Sequence, residues 1–261
     1  MQQRDKLERR INKYITRSEQ IRPDLYFVLE KIKNKLPESV IFGGAIREFS
    51  VKKGYIRKFS SDIDIVSAAS KDAIEDTIKR FNPSLNKFGG FRFSYGKFLF
   101  DIWSLPDTWA FNHHQNNNFI SNKNKLTLND LLKTTFFNMD AAIFHLSEKK
   151  LILSDMYDIW IEKSLIDIKF PANPNPQGMI NRAIKASILY DAALSNELLI
   201  FILNEAKFIN KNTINSTFLK LAREHIEHGK DNFRFLPQLK LKLSGCRGAR
   251  ASPACSSGQR R

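Results

Sequence analysis

The sequence predicts an α+β chain: a mixed-sheet head at about residues 22–168, then an all-helical neck at about 175–240. Three observations carry this reading. Short apolar runs alternate with helix-periodic segments through the first hundred residues, which builds a sheet covered by helices. The segment from Phe170 to Gly178 holds three prolines and reads as a linker. Beyond it the apolar spacing is helical, with no strand pattern. Residues 1–21 are expected to form a helical extension, and 245–261 a disordered or non-native tail.

In chain order, Lys6 to Thr16 and Pro23 to Leu36 read as helices. The second places Leu25, Val28, Leu29, Ile32 and Leu36 at helical spacing between two prolines suited to its start and stop. Val40-Ile41-Phe42 is a short buried strand running straight into Gly43-Gly44, and Ala45 to Lys53 follows as a helix ending near Gly54. Ile63 to Val66 is the next strand and Lys71 to Phe81 the next helix. Phe91 to Tyr95 and Phe98 to Trp103 form a strand pair around Gly96. Asn112 to Asn124 is Asn-rich and loop-like. Leu126 to Leu132 is helical, Ala141 to Leu153 is a strand pair turning at Ser147 to Lys150, and Met179 to Ile209 and Thr213 to Glu227 are helical.

The chain has 261 residues, 42% hydrophobic and 26% charged, an ordinary globular balance. No apolar run approaches the roughly 18 residues of a membrane span, and the charged N-terminus has no apolar stretch behind it, so a cytoplasmic protein is expected. The formal charge of +15 favours polyanionic partners over acidic ones, against the plainer reading of a basic solvated surface. Six of the cations (Lys240, Lys242, Arg247, Arg250, Arg260 and Arg261) lie at the C-terminal end. From Gly245 onward Lys, Asn, Ile and Phe, so common before it, vanish, and both cysteines, Cys246 and Cys255, fall there. Disulfide and Cys-metal chemistry are thereby excluded from the body.

Three features carry chemistry. Asp62 and Asp64 are two apart on a strand and share a face, where two carboxylates repel unless a cation lies between them. Gly43-Gly44 after a buried strand lets backbone approach a ligand, and amides at a helix start favour phosphate. Arg47, one turn on, could join them. Asp101 sits in an apolar strand, so it pairs either with a cation such as Arg92 or with a metal. His113-His114 lack a third ligand nearby, Trp103, Trp109 and Trp160 read as core, and Phe91 and Phe93 flank Arg92, where they could stack on a base.

In combination, Gly43-Gly44-Ala45-Ile46-Arg47-Glu48, then Asp62-Ile63-Asp64, then Asp101 on a later strand resemble the nucleotidyltransferases of the DNA polymerase β superfamily. Within it they are similar to the Gly-Gly-x-x-Arg-Asp and Asp-x-Asp signature of class II CCA-adding enzymes and bacterial poly(A) polymerases. Phe137 to Phe144 resembles that family's Asp-Phe-Thr-Ile-Asn-Ala-Leu-Ala block. The resemblance covers about residues 38 to 195. It implies a nucleotidyltransferase that binds ATP or another NTP, with two Mg²⁺ ions held by Asp62, Asp64 and Asp101. Gly43, Gly44 and Arg47 would steady the triphosphate, and Arg182 and Lys185 keep the basic positions of the nucleotide-binding helix. It also implies an RNA acceptor, tRNA first.

Two family motifs are missing. The Arg-Arg-Asp ahead of the block falls on Thr134-Thr135-Phe136, and the base-selecting Glu-Asp-x-x-Arg falls on Asn175-Pro176 and Met179. Weak base selection is the expectation, and two other readings stay open: an acceptor that is a protein or small molecule, and an inactive RNA-binding scaffold.

Overall fold

The computed structural model describes residues 2–51, 62–113, 126–172, 175–206, 216–229 and 231–234. The expected tail, most of the Asn-rich loop, His114 and the expected helix end at Gly54 lie outside the described residues.

The chain opens with α1 (Gln2–Thr16), α2 (Ser18–Ile21) and α3 (Pro23–Lys35). Pro23 occupies the first turn of α3, where its missing N–H costs nothing. Then come β1 (Ser39–Phe42), α4 (Gly44–Val51), β2 (Ile63–Ser67) and α5 (Lys71–Ile78). Ser70 caps α5 by accepting from the Ala73 N–H at 3.3 Å. The strands β3 (Ser84–Leu85), β4 (Phe91–Tyr95) and β5 (Phe98–Ser104) follow, then α6 (Trp109–His113). A 3₁₀ segment (Leu128–Lys133) precedes β6 (Ala142–His145), β7 (Lys150–Leu153) and α7 (Asp155–Lys163). The remainder is β8 (Leu165–Ile166), α8 (Pro176–Tyr190), β9 (Ala193–Leu194), α9 (Asn196–Glu205) and α10 (Ser216–Glu227).

Seven strands form one mixed sheet in the order β3-β4-β5-β2-β1-β6-β7. Its pairings are antiparallel except β2 with β5, which are parallel. Strand alternation sorts the side chains onto two faces. Ile41, Ile63, Ile65, Phe91, Phe93, Phe100 and Ile102 face the larger core, under α3, α4 and α5. Val40, Val66 and Ile143 face a smaller core roofed by Leu128, Leu131 and Leu132. That second roof is partial, and the uncovered part of this face holds the polar residues described below.

Several expectations change. The N-terminal extension is helical as expected, and α1 also buries Leu7, Ile11 and Tyr14 in the larger core and packs on α4. The linker is shorter than its prolines suggest, because Pro176 sits in the first turn of α8. Met179 to Ile209 is not one helix. It breaks after Tyr190, Asp191 takes a left-handed conformation, and β9 pairs in parallel with β8 before α9 begins at the Ser195 cap. Among its described residues the neck is otherwise helical apart from a Leu194–Phe233 bridge, and that short pair ties it to the head. Buried Asn138 secures the same junction: its Nδ2 donates to the Leu165 carbonyl and its Oδ1 accepts from the Asp167 N–H, both at 2.9 Å.

Candidate active site

The strand registers place four residues in a row across the open face. Phe42 on β1 lies opposite Asp64 on β2, Asp64 opposite Asp101 on β5, and Asp101 opposite Arg92 on β4. Asp62 lies just ahead of β2, its side chain 38% exposed, whereas that of Asp101 is 4% exposed. The structure thus sets Asp64 and Asp101 opposite each other on neighbouring strands, with Asp62 just ahead of β2.

Their environments differ. Asp64 opens on a cavity but is enclosed by protein on its other sides, and its carboxyl is pushed up to about 7. Burial is the largest cause, and repulsion from Asp101 and then Asp62 adds to it. Asp101 pairs with Arg92, whose Nε donates to Asp101 Oδ1 at 2.9 Å and whose Nη2 donates to Asp101 Oδ2 and, at 2.6 Å, to Asp62 Oδ2. Of the two partners open to Asp101 in the sequence, Arg92 engages both of its oxygens.

Gly43 follows Phe42 directly and takes φ +66, which a side chain would strain. Its N–H donates to the Ala142 carbonyl at 3.3 Å, so that amide is spent on the chain rather than held for a phosphate. The amides free to face a ligand begin at Gly44, in the first turn of α4, where N–H groups lack partners inside the helix. Arg47 does not point into the cavity with them. It is 7% exposed and bonded to Asp140 Oδ1. Burial opposes its charge most strongly, and the Asp140 carboxylate together with Tyr190 and Tyr157 outweighs that and keeps the guanidinium protonated.

Asp140 is the residue that sequence reading missed. Its second oxygen lies 3.7 Å from Arg182 Nη1, so it joins Arg47 in the core to Arg182 on the cavity wall. The available signal was an acid within the block that resembles the family's. Lys185 is exposed on α8 and is not among the residues lining the cavity.

Two cavities meet over this row. One, of about 470 Å³, is lined by Gly43, Gly44, Asp64, Asp140, Met179 and Arg182, with the rings of Phe42, Trp103, Trp109 and Phe136. The other, of about 370 Å³, is lined by Asp62, Asp64, Asn86, Arg92, Asp101 and Arg182. Asp64, Trp103 and Arg182 line both. Trp109, expected in the core, walls the larger cavity, Trp103 packs against the smaller core and also walls both cavities, and Trp160 is core. The Trp103 indole reaches its place over Gly90, where a Cβ would fall 2.2 Å from Nε1. Phe91 and Phe93 face the larger core, with Phe93 stacked between Phe81 and Phe100, so neither is open to a base.

No protein-family model matches the chain, and no curated protein matches it. Among solved structures, a CCA-adding enzyme in apo form I is 18% identical, with a TM-score of 0.52 over 85% of this chain and 50% of that one. A CCA-adding enzyme in complex with CTP is 17% identical, with a TM-score of 0.51 over 83% and 48%. A tRNA-processing enzyme, apo form I, is 14% identical, with a TM-score of 0.52 over 86% and 63%. The chain spans between about half and two thirds of the length of these proteins. Its fold is that of the class II CCA-adding-type nucleotidyltransferases, an α+β head followed by a helical neck.

Proposed function

We propose that the protein transfers a nucleoside monophosphate from an NTP to an acceptor hydroxyl, releasing pyrophosphate, with an RNA 3′ end, and tRNA first, as the acceptor. The observation that carries this reading is the Asp64–Asp101 pair across the parallel strands, with Asp64 open to the same cavity as Gly44 at the start of α4. The solved structures of this fold supply the prior: one is a CCA-adding enzyme in complex with CTP, another a tRNA-processing enzyme.

Hard carboxylate oxygens suit divalent ions, and a carboxyl pushed up to about 7 by burial and then by the acids beside it is one that a cation would relieve. Asp62, Asp64 and Asp101 would hold two Mg²⁺ ions. When bound, such ions supply neutralisation of the triphosphate and a lowered pKa for the attacking hydroxyl. The chain supplies the rest. The first amides of α4 and Arg182 hold the phosphates, and Asp140 keeps Arg182 aimed while tying it to Arg47. Trp103, Trp109 and Phe136 offer rings to the base. Asp101, in the cavity that lacks the glycine turn, lies on the acceptor side and takes the hydroxyl proton.

The base meets little polar code. Pro176 lies in the first turn of α8 and Met179 lines the cavity, where shape and apolar contact discriminate by roughly 1–3 kcal/mol. The test is incubation with each labelled NTP, Mg²⁺ and total RNA, with nuclease mapping of the label. Label at an RNA 3′ terminus supports the proposal; label confined to protein or small molecules replaces its acceptor.

A further inference from the structure

Arg92 stands inside the acid cluster itself. Its fork engages both oxygens of Asp101 and one oxygen of Asp62, and Asn86 Nδ2 adds a bond to Asp101 Oδ1 at 3.1 Å. Charge-assisted bonds of this kind are among the stronger hydrogen bonds in proteins, and they occupy the lone pairs a cation would need. In keeping with that, among the described residues no group of three or more His, Cys, Asp or Glu is arranged to hold a metal ion as it stands.

Arg92 is also free to leave. Its side chain is 44% exposed, and its strand is one from the sheet edge, flanked outward only by the two-residue β3. Beside it lies the 370 Å³ cavity. A plain cross-strand ion pair would need only Asp101, directly opposite in register. The third bond, to Asp62 on a different element, joins the two outer acids of the cluster across a single guanidinium.

Resting on the reading that these acids hold divalent metal, we propose that Arg92 is the resident counter-ion of the site. It competes with divalent cations for Asp62 and Asp101, and it swings out when they bind. Removing it then has two opposed effects. The three acids lose their neutralising charge, so the metal-free protein is less stable, and metal binds without displacing a guanidinium, so affinity rises.

The test is Mn²⁺ binding to the full chain, followed by electron paramagnetic resonance of the free ion, for the parent, Arg92→Met, Arg92→Lys and Asp64→Asn. Arg92→Met is expected to bind Mn²⁺ at least tenfold more tightly than the parent. Its melting temperature in EDTA should fall, and Mn²⁺ should raise it by more degrees than in the parent. Arg92→Lys keeps a charge but loses the fork, and its affinity should lie between the two. Equal or weaker affinity in Arg92→Met overturns the proposal while the metal site stands. If Arg92→Met does not fold, an unchanged affinity in Arg92→Lys overturns it equally. Should the parent and both Arg92 variants bind no more Mn²⁺ than Asp64→Asn, the metal reading falls, and the counter-ion role falls with it.

Discussion

Asp64 and Asp101 lie directly opposite each other on β2 and β5, the one parallel pair of the seven-stranded sheet, with their side chains on its open face. Two acids in that register oppose folding unless something cationic offsets them. The chain supplies Arg92 for one and leaves the other facing a cavity.

A pH dependence follows. In the metal-free protein Asp64 keeps its proton to about pH 7, while the unfolded chain releases it near 3.8. Between those values the folded state binds more protons, so stability from this group falls as pH rises through the window. Asp64→Asn removes the titration. In EDTA the variant should melt higher than the parent at pH 8, with the margin closing toward pH 4. A margin that is constant with pH would contradict this.

Removing the Asp140 carboxylate leaves Arg47, which is 7% exposed, without the acid it is paired with. Breaking a buried pair from one side costs about 3–5 kcal/mol. Asp140→Ala should therefore lower the melting temperature markedly, and Asp140→Ala combined with Arg47→Met should recover part of the loss. If the single variant melts within a degree of the parent, Asp140 does not anchor Arg47 as described.

Trp109→Ala should weaken NTP binding by about 1–3 kcal/mol, the usual worth of an aromatic ring under a base, with a larger effect on KM than on kcat. Initial rates over a range of NTP concentrations check this. A kcat effect alone would place the ring elsewhere in the reaction.

More than one NTP should serve as donor, with preferences of about 10–200-fold, because apolar Met179 lines the cavity where a polar pair would be needed to read a base edge. Competition among the four NTPs decides the matter. Preference by three or more orders of magnitude would mean that other side chains read the base edge.

Much of the frame was legible because it rests on local pattern. β1, β2, β4 and β5 each alternate or run apolar, Gly43 marks a turn only glycine takes easily, and Asp62 and Asp64 announce themselves by spacing. What escaped depends on tertiary neighbours. Asp140 acquires its role from Arg47, 93 residues earlier, and from Arg182 on another helix. Trp109 was placed in the core because apolarity does not distinguish a packed ring from one that walls a cavity. Arg47 was aimed at phosphate because its place one turn into α4 fits that role, and only the buried acid beside it shows where the guanidinium goes. The prolines near 171–176 spoke for a loop, yet Pro176 is as well suited to a helix start.

The most direct test of the central claim is incorporation of labelled nucleotide into RNA by the parent and by Asp62→Ala/Asp64→Ala, both checked for folding by circular dichroism. The account predicts Mg²⁺-dependent labelling by the parent and a loss of several orders of magnitude in the variant, with the helical signal unchanged. A folded double variant that labels RNA at the parental rate would contradict it.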